Sequence, residues 1–282
     1  MLERLKLPSA MEQFNNFSPG GWDVFYNNRQ IPKAGSPLVQ SGLANTLIAM
    51  SGNGSSSRAD GLAAAKDAFY RGPVAKLIVD SAQSVGGIIS AGDLAGYSSK
   101  FETPVKTSFH GYEIWGQDTW TQGPMLMQAL NMLENFDLQG MGHNSRSYVH
   151  TVTEALKLAF GDREGFYGDP EFSEVPIDGL LSKEYAAERS QLIDPESAYP
   201  AQPPAGNPWK YSKLSPGSSK QVAAGPTGGD GVSSDDGTTH VSVLDREGNL
   251  ACGTISGGAF SKSVFFPELG CALSTRIEMF NC

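Results

Sequence analysis

An α/β fold, helix-rich in its first part and strand-rich after about residue 238, is predicted by three observations. Apolar residues recur at helical spacing in several segments between Leu43 and Phe160. From His240 the pattern changes to strict alternation, the period of a half-buried strand. Between the two, from Asp194 to Asp236, composition shifts to Pro, Gly, Ser and Gln, with no periodicity of either kind.

The elements follow in order. Met1 to Pro37 is rich in Asn, Gly and Pro and carries Phe14, Phe17, Trp22, Phe25 and Tyr26; it reads as an irregular opening segment. Leu43 to Met50 suits a helix, stopped by the low-complexity run Ser51-Gly52-Asn53-Gly54-Ser55-Ser56-Ser57. Asp60–Tyr70 and Val74–Ser84 suit two more, the second ending at Gly86-Gly87, and Asp93-Leu94 opens a helical turn. Phe101 to Trp115 holds two strands broken at His110-Gly111. Gly123–Asn135 has a buried-helix pattern in which the methionines read as core filler. Ser147–Phe160 is the clearest amphipathic helix. Beyond it, Asp162-Arg163-Glu164 sits at a helix end, where charges ordinarily cap or pair. His110, His143 and His150 read as structural, and no pair of the four histidines has metal-ligand spacing.

Bulk properties exclude several classes. The chain of 282 residues is long enough for a substantial core. A net charge of −9 leaves no basic stripe for phosphates, so a nucleic-acid partner is not expected. No apolar run reaches membrane-spanning length, and MLERLKLPSAMEQFNN has no apolar h-region. Three cysteines without CxxC spacing imply neither a metal site nor a disulfide framework, and Cys252 reads as a small packed residue.

The chemistry concentrates at Gly237-Thr238-Thr239-His240. His240–Asp245 alternates, Arg246-Glu247-Gly248-Asn249 is a turn, and Leu250–Ile255 alternates again, which makes a β-hairpin with Gly248 in the left-handed conformation. A turn centred on Glu247 pairs Asp245 with Asn249 and, counting outward, Thr238 with Ser256. Opposed residues have Cβ atoms about 4.5–5.5 Å apart, so two hydroxyls would meet at the open end. A threonine hydroxyl needs a base, and one solution is the threonine's own α-amine, freed by cleavage of the preceding peptide bond. Gly237 leaves that carbonyl uncrowded, and Lys220–Asp236 is a Gly- and Ser-rich run able to bend the bond toward the hydroxyl. On these residues alone an ordinary surface hairpin after a linker is the commoner outcome.

Thr238-Thr239-His240-x-Ser242-Val243-x-Asp245-x-x-Gly248-Asn249 resembles the start of the small subunit of the γ-glutamyltransferase family, which are self-processing N-terminal-nucleophile (Ntn) hydrolases. The resemblance extends from about Pro37 to Asp194 through Leu38-Val39-Gln40, Ala68-Phe69-Tyr70-Arg71-Gly72, Gly86-Gly87-Ile88-Ile89, Asp93-Leu94-Ala95-x-Tyr97, Gln122-Gly123-Pro124, Asp162-Arg163 and Gly168-Asp169-Pro170. It implies a segment of a four-layer αββα sandwich, self-cleavage between Gly237 and Thr238, and Thr238 as nucleophile with Ser256 supporting it. Two portions follow: 1–237, ending in a processing tether over about 195–237, and 238–282, the two pairing as a heterodimer after cleavage. The substrate would be a small γ-glutamyl or acidic amide, with no cofactor. In this family Asp162-Arg163-Glu164 is scaffold, and its members are often periplasmic or extracellular.

Departures from the best-known members bear on substrate. Their Thr-x-Thr-Leu-Asn pattern is here Thr254-Ile255-Ser256-Gly257-Gly258, which keeps a supporting hydroxyl and drops the Asn. The amide and acidic residues that hold the γ-glutamyl zwitterion correspond to Arg276 and Met279, with Glu278 one place away. A desolvated ammonium must meet a carboxylate, so this pattern resembles a divergent branch acting on small acid amides such as oxamate, with Gly257, Gly258, Arg276 and Glu278 as candidate substrate contacts. Arg276 serves equally as a salt-bridge partner of Glu268 or Glu278. Against the family the chain is expected to be a fragment, without a counterpart before Pro37 and stopping at Cys282 ahead of the glycine pair of the oxyanion hole. Each missing donor would cost on the order of 3 kcal/mol of transition-state stabilisation. An inactive, unprocessed scaffold is the reading from another class.

Overall fold

The computed structural model describes residues 5–8, 10–12, 21–26, 30–51, 57–216, 239–255 and 264–274. The chain falls into two units: Met1–Ser99 with Gly229–Phe280 and Cys282, and Lys100–Gly228 with Asn281.

The unit of residues 1–99 and 229–280 begins with α1 (Trp22–Phe25) and continues through α2 (Ser41–Ala49), α3 (Arg58–Tyr70), α4 (Pro73–Ser84) and α5 (Ala91–Gly96). Local chemistry sets the boundaries. The Ser57 side chain caps α3 by accepting from the Asp60 amide, and Pro73 opens α4, where its missing N–H costs nothing. The chain leaves α4 through Gly86, at φ +84°. A reciprocal capping box of Ser90 and Asp93 starts α5, and the Ser90 hydrogen bonds hold the Asp93 carboxyl below its ordinary range. The strands here are β3 (Thr239–Leu244) with β4 (Leu250–Ile255), and β5 (Phe265–Phe266) with β6 (Cys271–Ala272), each pair antiparallel.

Two clusters form this unit's core. Val74 and Ile78 of α4 pack with Phe266 and Leu269. Leu5, Phe25, Tyr26 and Phe265 form the second, in which the Phe25 and Phe265 rings meet edge-on with centroids 4.8 Å apart. The opening segment is therefore not simply irregular: Phe25 and Tyr26 share a cluster with Phe265, about 240 positions later, a pairing no local pattern encodes. Thr46 Oγ1 donates to the Leu269 carbonyl at 2.9 Å, and Gly42 lies so close to the Pro267 carbonyl that a Cβ there would overlap it.

The second unit opens with the hairpin β1 (Val105–Phe109) and β2 (Tyr112–Gly116). His110 and Gly111, at φ 47° and 86°, make the turn the sequence places there. Then come α6 (Gly123–Leu133), α7 (Leu138–Met141), α8 (Arg146–Phe166), α9 (Ile177–Leu180), α10 (Lys183–Ser190) and a 3₁₀ turn at Pro208–Tyr211. Met132 and Leu133 of α6 pack with Ala155, Leu158 and Ala159 of α8 and with Ala186 of α10.

Two expectations are corrected here. Helix α8 runs past Phe160 to Phe166, so Asp162 is an interior helix residue and fully buried. Gly161 does not stop the helix; its missing Cβ admits the Pro203 carbonyl. The expected structureless tether from about residue 195 is packed chain as far as Leu214. The Tyr199 amide donates to Glu154 at 2.9 Å, the Gly206 amide to Asp162 at 2.8 Å and the Lys213 amide to Asp178 at 2.8 Å. Residues 199–214 thus form a strap along α8, α9 and α10.

Candidate functional site

The hairpin β3–β4 carries the predicted chemistry. Its register pairs Thr239 with Ile255, His240 with Thr254, Ser242 with Cys252 and Leu244 with Leu250. The Asp245 amide donates to the Asn249 carbonyl at 3.0 Å, which continues the same register into the turn, as counted from the sequence. Gly248 takes φ +86°, the left-handed conformation expected of it. The Asp245 carboxylate holds the turn by accepting from the Glu247 amide at 3.0 Å, the Asn249 amide at 2.8 Å and the Asn249 side chain at 2.8 Å. The Asn249 side chain leads the hydrogen bonds that keep this exposed carboxyl below its usual range.

Period two puts His240, Ser242, Thr254 and Cys252 on one face of the hairpin. His240 Nδ1 lies 2.8 Å from Thr254 Oγ1 across the strands, and its Nε2 lies 2.8 Å from Ser242 Oγ along its own strand. Cys252 is a free, exposed thiol rather than a packed residue, because the hairpin's side chains stay accessible among the described residues. The predicted site residues Gly237, Thr238, Ser256, Gly257, Gly258, Arg276 and Glu278 lie outside the described residues. The described chain begins at Thr239, just after Gly237 and Thr238, and stops at Ile255, just before Ser256, and at Ser274, ahead of Arg276 and Glu278. Among the described residues no group of three or more His, Cys, Asp or Glu side chains is placed to hold a metal ion.

A second cluster with perturbed ionisation lies around Asp162, in the unit of residues 100–228. Asp162 Oδ1 pairs with Arg189 Nη2 at 3.2 Å and accepts from Tyr185 Oη at 2.9 Å, while Oδ2 accepts from Gln128 Nε2 at 3.0 Å. Burial pushes the Asp162 carboxyl up, against the pull of Arg189 and the hydrogen bonds from Gly206, Tyr185 and Gln128. Burial likewise raises the Tyr185 and Tyr167 hydroxyls, with Asp162 adding to both. Arg189 Nη2 also donates to the Leu158 and Pro204 carbonyls, both at 3.1 Å. Every polar partner here belongs to a helix or to the strap, so the cluster is a fastening. Its composition (Asp, Arg, Tyr) is that of an active site, and only burial separates the two readings. His150 is structural as expected, its Nε2 2.8 Å from the Asp194 carbonyl oxygen.

The gamma-glutamyltranspeptidase family model matches residues 4–282. The chain belongs to this family. The match starts at residue 4, upstream of Pro37, where the resemblance read from the sequence begins. It is 32% identical over 261 residues to the glutathione hydrolase proenzyme of Bacillus subtilis (strain 168), covering 92% of this chain and 41% of that protein. It is 34% identical over 249 residues to the acylase ACY 1 proenzyme of Pseudomonas sp. (strain SE83), covering 88% and 38%. The Helicobacter pylori gamma-glutamyltranspeptidase structure superposes with a TM-score of 0.65 at 31% identity, over 76% of this chain and 58% of that one. The chain thus spans about two fifths of the length of the curated relatives it matches. Its mixed α/β architecture is that of a segment of the αββα Ntn-hydrolase sandwich, and the relatives named are enzymes.

Proposed function

We propose that the protein is a self-processing γ-glutamyltransferase-type Ntn hydrolase whose nucleophile is Thr238. The observation that supports this reading is the hairpin register: Thr239 opposite Ile255 and His240 opposite Thr254 agree with the count from the sequence that sets Thr238 against Ser256.

The reaction sequence follows from the residue types. The Thr238 hydroxyl attacks the Gly237 carbonyl carbon, the C–N bond breaks as the nitrogen takes the proton, and the resulting ester is hydrolysed by water. The C–N cleavage frees the Thr238 α-amine, and the hydrolysis restores its hydroxyl and releases the Gly237 carboxylate. That amine then accepts the hydroxyl proton as Oγ attacks a substrate amide, and passes it to the departing amine. Water or an acceptor amine resolves the acyl-threonine. Ser256 orients the nucleophile, and Gly257, Gly258, Arg276 and Glu278 line the acyl site. No cofactor or metal takes part in these steps. The two products, 1–237 and 238–282 in this numbering, remain together as a heterodimer because Phe265, Phe266 and Leu269 are core partners of Phe25, Val74 and Ile78.

A second reading has the same machinery act on a small acidic amide. The similarity to an acylase proenzyme at 34% identity supports it, together with Arg276 and Met279 where the family's zwitterion contacts fall.

Denaturing electrophoresis with intact mass on wild type and Thr238→Ala tests the nucleophile. Wild type is expected to split between Gly237 and Thr238 and the variant to stay whole; a wild type that never splits refutes the reading and favours an unprocessed scaffold. Turnover of a γ-glutamyl anilide beside a simple acid amide then decides between the two substrate classes.

A further inference from the structure

On the β3–β4 hairpin, an imidazole joins two hydroxyls into a row. His240 meets Thr254 Oγ1 across the strands and Ser242 Oγ along its own strand, both at 2.8 Å. A neutral imidazole donates from one nitrogen and accepts at the other, so these partners use its whole hydrogen-bonding capacity and fix the ring plane. That leaves the ring no lone pair for substrate chemistry. His240 and Thr254 are also directly opposed, which makes theirs a cross-strand bond between side chains.

The location gives this bond its significance. Side chains of β3 and β4 are exposed along both strands, apart from the half-buried Gly253, so burial among the described residues does little to hold the register. A one-residue slip would carry every side chain to the opposite face. The His240–Thr254 pair is one step of period two from positions 238 and 256. The described residues sharing its face are Ser242, Leu244, Leu250 and Cys252.

We infer that His240 is a positioning residue: by bridging Ser242 and Thr254 it pins the two strands beside their open end and keeps the position-238 hydroxyl facing position 256. This rests on the reading of Thr238 as nucleophile. Both ring nitrogens of His240 are engaged by Thr254 and Ser242, so its effect falls on how often the two hydroxyls face each other. Both self-cleavage and turnover need that geometry, whereas substrate affinity does not.

The test uses the full chain with His240→Ala, Thr254→Val, their double variant and His240→Asn, which retains a polar atom near the Nδ1 position. The readouts are the rate of splitting at Gly237–Thr238 and, for the processed protein, kcat and KM on a γ-glutamyl anilide. Each single variant should lower the splitting rate and kcat about two- to fivefold, the size of one cross-strand pair. KM should stay unchanged, the double variant should be no worse than the poorer single one, and His240→Asn should recover most of the loss. Wild-type rates in His240→Ala, multiplicative losses in the double variant, or a raised KM with kcat intact would each overturn the inference. If His240→Ala does not fold, Thr254→Val decides alone, and a wild-type splitting rate there overturns it. Thr238→Ala is run in parallel: splitting in that variant sinks the nucleophile reading, whereas its absence beside an unaffected His240→Ala sinks this inference only.

Discussion

Replacing Arg189 by Met tests the energetics of the buried fastening. Arg189 and Asp162 have side-chain exposures of 5% and 0%, and Arg189 Nε meets no hydrogen-bond partner among the described residues. The guanidinium is thus incompletely satisfied already, yet it neutralises Asp162 and ties the Leu158 and Pro204 carbonyls. Met keeps much of the volume and removes the charge. Loss of one partner of a buried pair costs about 3–5 kcal/mol, which for a protein of this size lowers the thermal midpoint by roughly 6–20 °C. The pH dependence has a definite sign. Asp162 already titrates above its unfolded value of about 3.9, so the stability its proton contributes is complete below that pH and is lost as pH rises through the folded pKa. Without Arg189 the carboxyl moves higher still. The deficit of Arg189→Met should therefore be larger at pH 8 than at pH 5, where protonation relieves the orphaned charge. Calorimetric melts of wild type and variant at both pH values provide the measurement, with Asp162→Asn as a control that lacks this carboxyl titration. A deficit below about 1 kcal/mol, or one equal at the two pH values, would refute the reasoning.

Gly206→Ala should destabilise by about 1–3 kcal/mol in thermal melts, because its Cβ would overlap Tyr185 Oη and crowd Arg189 Cδ, which lies 3.0 Å away. Gly270 sits at φ +78° with the Leu43 backbone against its α-carbon face, so Gly270→Ala combines strain with a clash and should cost at least as much in urea unfolding. Asp245→Ala should speed hydrogen exchange at the Glu247 and Asn249 amides. The wild-type carboxyl titrates below its ordinary value, so its contribution is present above about pH 3.9 and lost as pH falls through the folded pKa; acidification should reproduce the variant's faster exchange relative to neighbouring amides.

The β3–β4 hairpin was legible because its signals are local: alternation on both strands, Asp245 and Gly248 in the turn, and a register that follows from turn length. The helices placed from Asp60, Asp93 and Ser147 start two or three residues earlier, at the capping serines Ser57, Ser90 and Ser145. Glycine and proline misled where they serve packing rather than chain reversal. Gly161 admits Pro203, Gly179 admits Pro208 and Gly206 admits Tyr185, so a run with the composition of a linker became a docked strap. The packing of Phe25 and Tyr26 was unreadable for a different reason, since their partner Phe265 is far along the chain. At the candidate site, Thr238 and Ser256 rest on register counted from sequence and matched by the described pairs up to Thr239 and Ile255. The bridging role of His240 needed side-chain positions, which alternation alone does not supply.

The core shared by Phe25, Val74 and Ile78 with Phe265, Phe266 and Leu269 bears on how the pieces would come apart. Among the described residues, the chain on either side of position 237 contributes side chains to the same two hydrophobic clusters. A cut at that position would then leave those clusters in place, and separating the two pieces would amount to unfolding the unit that contains them. Expressed as two polypeptides, 1–237 and 238–282 should recover the melting transition of the unit of residues 1–99 and 229–280 only when refolded together, while the unit of residues 100–228 keeps its own.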